Sequence, residues 1–425
     1  MTPIREGREA ALRATLAAIA AELPPQAPPP GGGRIPFERL TTVHFLRWVM
    51  LEAARDAAGA PIPAQLVLAT AFDAPLDRHL AELASVARDG LDAVYRHCAG
   101  YPDGGAGDAD GLSAYLRAHL VLPSAAFIAT RWRTVAQIRA ESALRAMLED
   151  ALDAQLAQPG APVEPAAIGE ALRARVAAAP EWRWGLAPAP GPPLTWWIAH
   201  YGRLAALVVG LIAGLPVLAP IALVAILLLR RAERREAHAP APPPPAAGAL
   251  ARLTDLEDFD VQNQMSLVSV VKPGRLRQLL LRVVLLYARF RVAYLVTQGA
   301  LVGIPSIHFA HWTLIDGGRR LLFLSNYDGT WESYLGEFID RAGHGVNAIW
   351  SNTLGFPPAR FLILDGAGDE QRFKAWVRDQ QIPTDVWYAA YPRLSVRHVN
   401  NNTALRDGLS APLAPAPLAA WLRRL

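Results

Sequence analysis

Residues 307–312, Ile307-His308-Phe309-Ala310-His311-Trp312, begin a pattern that continues through Leu322-Phe323-Leu324-Ser325-Asn326-Tyr327-Asp328-Gly329 and ends at Gly355-Phe356-Pro357. A degenerate copy of it sits in the N-terminal half, starting at Val43-His44-Phe45-Leu46-Arg47-Trp48. Phe72-Asp73 then answers Tyr327-Asp328, and His79-Leu80-Ala81-Glu82-Leu83 answers Tyr334-Leu335-Gly336-Glu337-Phe338. Gly90 to Tyr95 answers Gly345 to Trp350, and Gly100-Tyr101-Pro102 answers Gly355-Phe356-Pro357, with no gap between Phe72 and Pro102. We read this as a duplicated domain.

The chain has 425 residues, of which 52% are apolar, enough for two or three domains with real cores. Its formal net charge of +4 comes almost entirely from arginine, because only Lys272 and Lys374 are lysines. No stripe of basic residues interleaved with aromatics appears, which argues against a nucleic-acid partner. A single cysteine, Cys98, excludes an intrachain disulfide and any multi-cysteine metal site.

Along the chain, helical spacing over 8–22 is followed by a Pro/Gly linker over 24–33. The first copy reads as strands 42–51 and 65–72, helices 76–98 and 108–120, strand 125–132 and helix 135–156. An Ala/Pro-rich stretch, 157–193, closes it. Between Leu204 and Leu229 lie 26 residues without a charged side chain. As a helix they would extend about 39 Å, more than a bilayer's hydrocarbon core of roughly 30 Å. Trp182, Trp184, Trp196, Trp197 and Tyr201 flank one end and Arg230, Arg231, Arg234 and Arg235 the other, as expected at the two membrane interfaces. Gly214, Pro216 and Pro220 break the middle of the stretch. Two topologies follow: a single span, or a re-entrant hairpin that keeps both copies in one compartment.

After a linker over 239–248, the second copy reads as strand 261–271, helix 275–297, strand 305–316, a turn at Asp316-Gly317-Gly318, strand 320–327, helix 331–351, strand 360–365, helix 369–381 and strand 385–391. In helix 275–297, Arg275, Arg282 and Arg289 recur every seven residues and share a face. Two readings stand for that helix, contact with anionic headgroups or an ordinary solvent edge. The division expected is 1–33, N-terminal helix and linker; 34–160, first copy; 161–203, linker and aromatic interface; 204–229, membrane segment; 230–257, basic and Pro-rich linker; and 258–425, second copy.

The order βαββαβ is the split βαβ arrangement. It resembles the ferredoxin-like fold and the dimeric α/β-barrel superfamily, to which the haem-binding dye-decolourising peroxidases and chlorite dismutases belong. Val271-Lys272-Pro273-Gly274, Ile307-His308-Phe309 and Ser325-Asn326-Tyr327-Asp328-Gly329 look like a family of uncharacterised bacterial membrane proteins. The expected fold is therefore α+β, duplicated ferredoxin-like units with an inserted hydrophobic membrane segment, forming a homo-oligomer or an intrachain pseudo-dimer.

Strand alternation puts His308 and Trp312 on one face, and His44 and Trp48 on the matching face of the first copy. The functional reading is a ligand pocket of His308, Trp312, Asn326, His44 and Trp48. In it His308 is an axial haem ligand or proton shuttle and Asp328 a catalytic partner. The alternative is a satisfied histidine copied with the fold, with Asp328 and Asp73 serving turns and helix caps. The Gly-x-x-Asp-Gly motif of the dye-decolourising peroxidases is missing. Asp365-Gly366-Ala367-Gly368-Asp369 lacks phosphate-loop spacing, so Asp369 is expected to cap the next helix. His308 and His311 fall on opposite faces of a strand, which argues against a shared metal. Asn400-Asn401-Asn402 suggests no mechanism. The leading expectation is a protein of the inner membrane with a cytoplasmic C-terminal domain, binding membrane lipid, an apolar ligand or a partner. The alternative is a haem-dependent oxidoreductase using His308.

Overall fold

In the computed structural model the described residues are 1–23, 33–73, 75–159, 164–189, 191–236, 247–258, 261–295, 299–411 and 413–425. Most of the expected linkers 24–33 and 239–248, and Thr297 at the end of the expected helix 275–297, lie outside them. The chain mixes helices with antiparallel strands. In order these are β1 (Thr2–Pro3), α1 (Glu9–Ala20), β2 (Val43–Leu51), β3 (Ala54–Arg55), β4 (Pro61–Ile62), β5 (Gln65–Phe72), α2 (Leu76–Val86), α3 (Arg88–Tyr95), α4 (Ala109–Ala118), β6 (Ala125–Ile128), α5 (Val135–Leu156), α6 (Pro165–Ala178) and α7 (Leu194–Glu236). There follow α8 (Ala247–Thr254), β7 (Gln262–Val270), α9 (Arg275–Tyr294), β8 (Ile307–Ile315), β9 (Arg320–Asp328), α10 (Trp331–Trp350), β10 (Ala359–Arg360), β11 (Leu364–Asp365), α11 (Glu370–Gln380), β12 (Val386–Ala389), α12 (Val396–Ser410) and α13 (Pro415–Leu422).

Two compact units share the chain. The first comprises Met1–Ala129 and Arg203–Arg393, the second Thr130–Gly202 and Leu394–Leu425. Helix α5, expected to finish the first copy, thus belongs to the second unit.

The first unit holds two four-stranded sheets, ordered β1-β5-β2-β12 and β6-β8-β9-β7. Each takes one edge strand from the far half of the chain. Val386 of β12 lies opposite Trp48 of β2, and Ala125 of β6 lies opposite Trp312 of β8. Strand β2 is buried along its whole length, because both of its faces are covered. On one face Val49, Leu51 and Val67 pack with Ile315, Leu322 and Leu324 of the other sheet in a single apolar core. On the opposite faces Trp48 and Trp312 are buried, the latter against Phe323 and Trp350.

Local geometry repeats between the halves. Phe72 stacks on His79 at 3.9 Å and Tyr327 on Tyr334 at 3.8 Å. His79 Nε2 pairs with Thr70 Oγ1 at 2.9 Å, and the Tyr334 hydroxyl with Ser325 Oγ at 2.5 Å. Tyr101 meets Tyr115 edge-on as Phe356 meets Trp376, both at 82°. Gly100 and Gly355, at φ 74° and 73°, make the same left-handed turn, which a side chain would strain.

One buried cation ties the sheets together. Arg47 of β2 donates to the carbonyls of Met265 and Ser325 at 2.9 and 2.7 Å, to Ser266 Oγ at 3.2 Å and to Asn326 Oδ1. Burial pushes its pKa down to about 9, and the guanidinium still stays charged at neutral pH. Four acceptors on β7 and β9 compensate for its removal from water.

Several expectations are corrected. The helix expected over 76–98 breaks at Ala87 into α2 and α3, and Gly90 there leaves room for the side chain of Ile35. The strand expected over 360–365 is only the two-residue pair β10 and β11. Strand β12 is the last strand of the second half, and it joins the opposite sheet. Asp369 does cap α11, accepting from the Arg372 amide at 3.2 Å. Helix α7 runs unbroken for 43 residues through Pro216 and Pro220, so the expected break in the membrane segment is absent. It is the one helix among the described residues long and apolar enough to cross a membrane, and its apolar window is not buried.

The second unit packs α5, α6, α12 and α13 around Leu144, Leu148, Leu172, Val176, Leu405, Leu409 and Trp421. Trp182 and Trp184, expected at the membrane interface, pack against this core instead. A buried ion pair links Glu141 to Arg406 at 3.2 Å, and Thr403 Oγ1 donates to Glu141 at 2.6 Å. The asparagine run begins the body of α12, where Asn400 accepts from Arg133 at 2.6 Å.

Arg47→Met strips donors from buried acceptors on β7 and β9. The expected loss is roughly 3 kcal/mol of unfolding free energy in urea titration, and a loss below about 0.5 kcal/mol would contradict the clamp.

Candidate functional site

The two histidines of the repeated pattern sit on bulges. Val43 pairs with Phe72 and Phe45 with Ala71, which leaves His44 as the extra residue. Ile307 pairs with Tyr327 and Phe309 with Asn326, which leaves His308 in the same position. A bulge inserts one residue and re-aims its side chain. His44 Nε2 meets Asp73 at 3.0 Å and its Nδ1 the Tyr391 hydroxyl at 2.7 Å. His308 Nε2 meets Asp328 at 2.7 Å. Between them the rings of Phe45 and Phe309 lie 5.5 Å apart, with His308 against Phe45 and His44 against Phe309.

This arrangement separates the expected pocket residues. Trp48 and Trp312 are buried away from the Arg47 face, while Asn326 accepts from Arg47 and, at 2.9 Å, from Trp387 Nε1. Asp328 binds His308, and the cap of α10 is Thr330, which accepts from the Ser333 amide. Asp328 is therefore neither the expected cap nor placed in an open cleft. His308 is 0% exposed, with Nε2 committed to Asp328 and its ring packed on Phe45 and Tyr391. Its Nε2 is taken by Asp328 and the residue has no exposed surface, so among the described residues it presents no open ligand position to a haem.

Open space lies elsewhere in the first unit. Strand β1 covers only Gln65 and Leu66 of β5, whereas β7 covers β9 from Arg320 to Asp328. Among the described residues the rest of β5 has no strand partner on its outer side, and a cavity of about 490 Å³ opens beside it. Val67, Ala69 and Ala71 line it with Phe309, Leu322 and Leu324 from the second sheet. Leu80 and Leu83 of α2 form another wall. Leu120, Val121 and Leu122 stand at the mouth, with Leu122 73% exposed. The small side chains Ala69, Ala71 and Ala126 create the width.

Three imidazoles line this cavity, those of His79, His119 and His311, and burial holds His79 and His311 neutral. Burial pushes His79 down to about 4, with Glu82 opposing slightly. Burial also pushes His311 down to about 4, and the charge of Arg47 adds to it. His311 occupies in β8 the place that Arg47 has in β2, and its residual exposure is to the cavity. Apart from the Met1 terminus, which donates to the His119 carbonyl at 2.7 Å, and the His119 ring, the lining is apolar or neutral, so it suits a largely apolar guest.

The membrane-facing candidates divide as well. Trp196, Trp197 and Tyr201, in the second unit, form an exposed or half-buried aromatic ladder in which Trp197 stacks on Tyr201. In the first unit Arg275, Arg282 and Arg289 are all exposed on α9, beside exposed Leu279, Val283, Leu286 and Tyr287. Arg230 and Arg231 directly follow the apolar stretch between Leu204 and Leu229, and Leu229 itself is buried. His79, His311 and Arg47 carried no motif of their own; only the equivalence of His79 with Tyr334 and of Arg47 with His311 marks their positions.

No family model, curated protein or solved structure matches this chain.

An unfolded imidazole takes its proton below about pH 6.5, whereas His79 and His311 take theirs near 4 when folded. The folded state binds fewer protons in that window, so stability is present above it and is lost as the pH falls through it. The loss is roughly 3 kcal/mol for His79 at the lower end. Thermal melts of the wild type should therefore fall between pH 7 and 4. His79→Tyr, which copies the Tyr334 position, should flatten that fall. A constant offset between wild type and variant at every pH would contradict the assignment.

Proposed function

We propose that the chain is a membrane-anchored pair of ferredoxin-like units, closed on each other as an intrachain pseudo-dimer, that holds an apolar ligand at the bilayer. The observation that carries this reading is a largely apolar cavity of about 490 Å³ in a protein whose apolar helix α7 is exposed to its surroundings. The volume is in the range of small-molecule sites. The duplicated-unit reading is supported by the matched bulges at His44 and His308, the matched stacks at His79 and Tyr334 and the exchange of β6 and β12. The exposed arginines and leucines of α9 suit a membrane surface, where guanidinium groups meet anionic headgroups and the leucines enter the acyl boundary.

Strand exchange also bears on topology. Strands before α7 pair with strands after it within both sheets, so a crossing by α7 alone would pull the sheets apart. We infer that α7 lies along the bilayer surface rather than crossing it, so that both ends of the unbroken helix stay on one side. The cluster Arg230, Arg231, Arg234 and Arg235 supports the cytoplasmic face of the inner membrane as that side.

Two outcomes are expected. Reporters fused ahead of Met1 and behind Leu425 should both report the cytoplasm; opposite compartments would contradict the one-sided anchor. Ala69→Phe should reduce the affinity for the neutral dye N-phenylnaphthylamine at least about 10-fold by filling the cavity, with the melting temperature held to within a few degrees. Undiminished dye binding would sink the cavity reading.

A further inference from the structure

A second cavity, of about 550 Å³, lies where α7 leaves its apolar stretch. It is lined by Arg230, Arg234, Lys272, Arg277, Arg360 and Arg372, against three carboxylates, Glu233, Glu236 and Asp365. Six cations less three anions leave a balance of +3. The carboxylates are committed. Glu233 accepts the amides of Phe361 and Leu362 at 3.0 and 2.8 Å, and also pairs with Arg230. Glu236 takes Lys272 and Arg277, both at 2.8 Å, and Asp365 takes Arg360. Arg234, one turn beyond Arg230, lines the cavity and is exposed.

The amides that hold Glu233 belong to the tip of the β10–β11 hairpin. Phe361 and Leu362 adopt positive φ, 50° and 70°, a strained shape for two residues that carry side chains. The bound carboxylate compensates for that strain by engaging both amides. The tip consequently presents Phe361 and Ile363 outward, 49% and 41% exposed, and Arg230 lies 4.5 Å over the Phe361 ring. An outward apolar tip beside a basic cavity, at the end of an uncharged helix, matches the bilayer in two layers. Aromatic and aliphatic groups meet acyl chains, and guanidinium groups meet phosphate.

We propose that this cavity binds the phosphate of an anionic phospholipid headgroup, and so sets the depth and orientation of the anchor. The site rests on the membrane reading of α7 but is independent of the apolar cavity beside β5. Arg234 supplies uncommitted positive charge, and Arg372, whose one ion pair among the described residues is the long, exposed contact to Asp369 at 3.4 Å, adds to it.

The test is native mass spectrometry of the detergent-solubilised full chain with phosphatidylglycerol, phosphatidylcholine or inorganic phosphate added. Flotation on vesicles of the same lipids accompanies it. The wild type should retain one phosphatidylglycerol in preference to phosphatidylcholine. Arg234→Gln with Arg372→Gln should weaken that retention about 25-fold, roughly 5-fold for each charge near a membrane surface, and should still float. Equal retention of the two lipids, or undiminished retention by the double variant, would overturn the site. Retention of inorganic phosphate without phosphatidylglycerol would overturn the lipid assignment in favour of a free anion. A wild-type chain that floats on no vesicle would instead remove the membrane reading beneath it.

Discussion

Everything in the first unit depends on two edge pairings between remote parts of the chain. β12, near residue 388, completes the sheet of β2, and β6, near residue 126, completes the sheet of β8. Neither half can hydrogen-bond its own sheet fully, so each leaves a long apolar strand unpaired until the other arrives. The shared core of Val49, Leu51, Leu322 and Leu324 and the Arg47 clamp then form between the two sheets. The polypeptide between the halves must tolerate both ends lying in one folded unit, and the proposed one-sided placement of α7 follows from this constraint.

Within this near-symmetric frame, function follows from where the symmetry fails. Nine residues of β7 cover β9, and two residues of β1 cover β5. The missing strand length is the cavity. Arg47 and His311 hold equivalent places; one is a charged clamp, and the other is a neutral wall of that cavity. By contrast the histidines first singled out, His44 and His308, keep the symmetry. Each is aimed by a bulge at a neighbouring aspartate in a closed aromatic cluster, and their recurrence is explained by the fold.

Much of this was legible in the residues. Strand 65–72 and helix 135–156 are legible to the residue, because alternation and helical spacing act locally, and the gap-free match from Phe72 to Pro102 aligns the stacked pairs. Pairing partners were not legible, since a strand's sequence carries no mark of which remote edge it will join. The bulges were hidden for a related reason: strict alternation placed His308 with Trp312, and only the register against Tyr327 shows the extra residue. Helix α6 was masked by Ala/Pro composition, although Pro165 at its first position suits a helix start. Pro216 and Pro220 misled in the other direction. The helix continues past both. The cavity beside β5 depends on the brevity of Thr2–Pro3, and two residues carry no readable periodicity.

The central claim is that one chain builds both sheets from segments on either side of α7, in the membrane-bound protein. The most direct measurement is a cross-link in isolated membranes between Ala126→Cys and His311→Cys, register partners of β6 and β8, with the lone native thiol removed as Cys98→Ser. After mild oxidation and cleavage of the chain between these positions, the account predicts that the two fragments stay joined until reduced, and that they come from a single chain. Fragments that separate without reductant, or that are joined only between different chains, would contradict it.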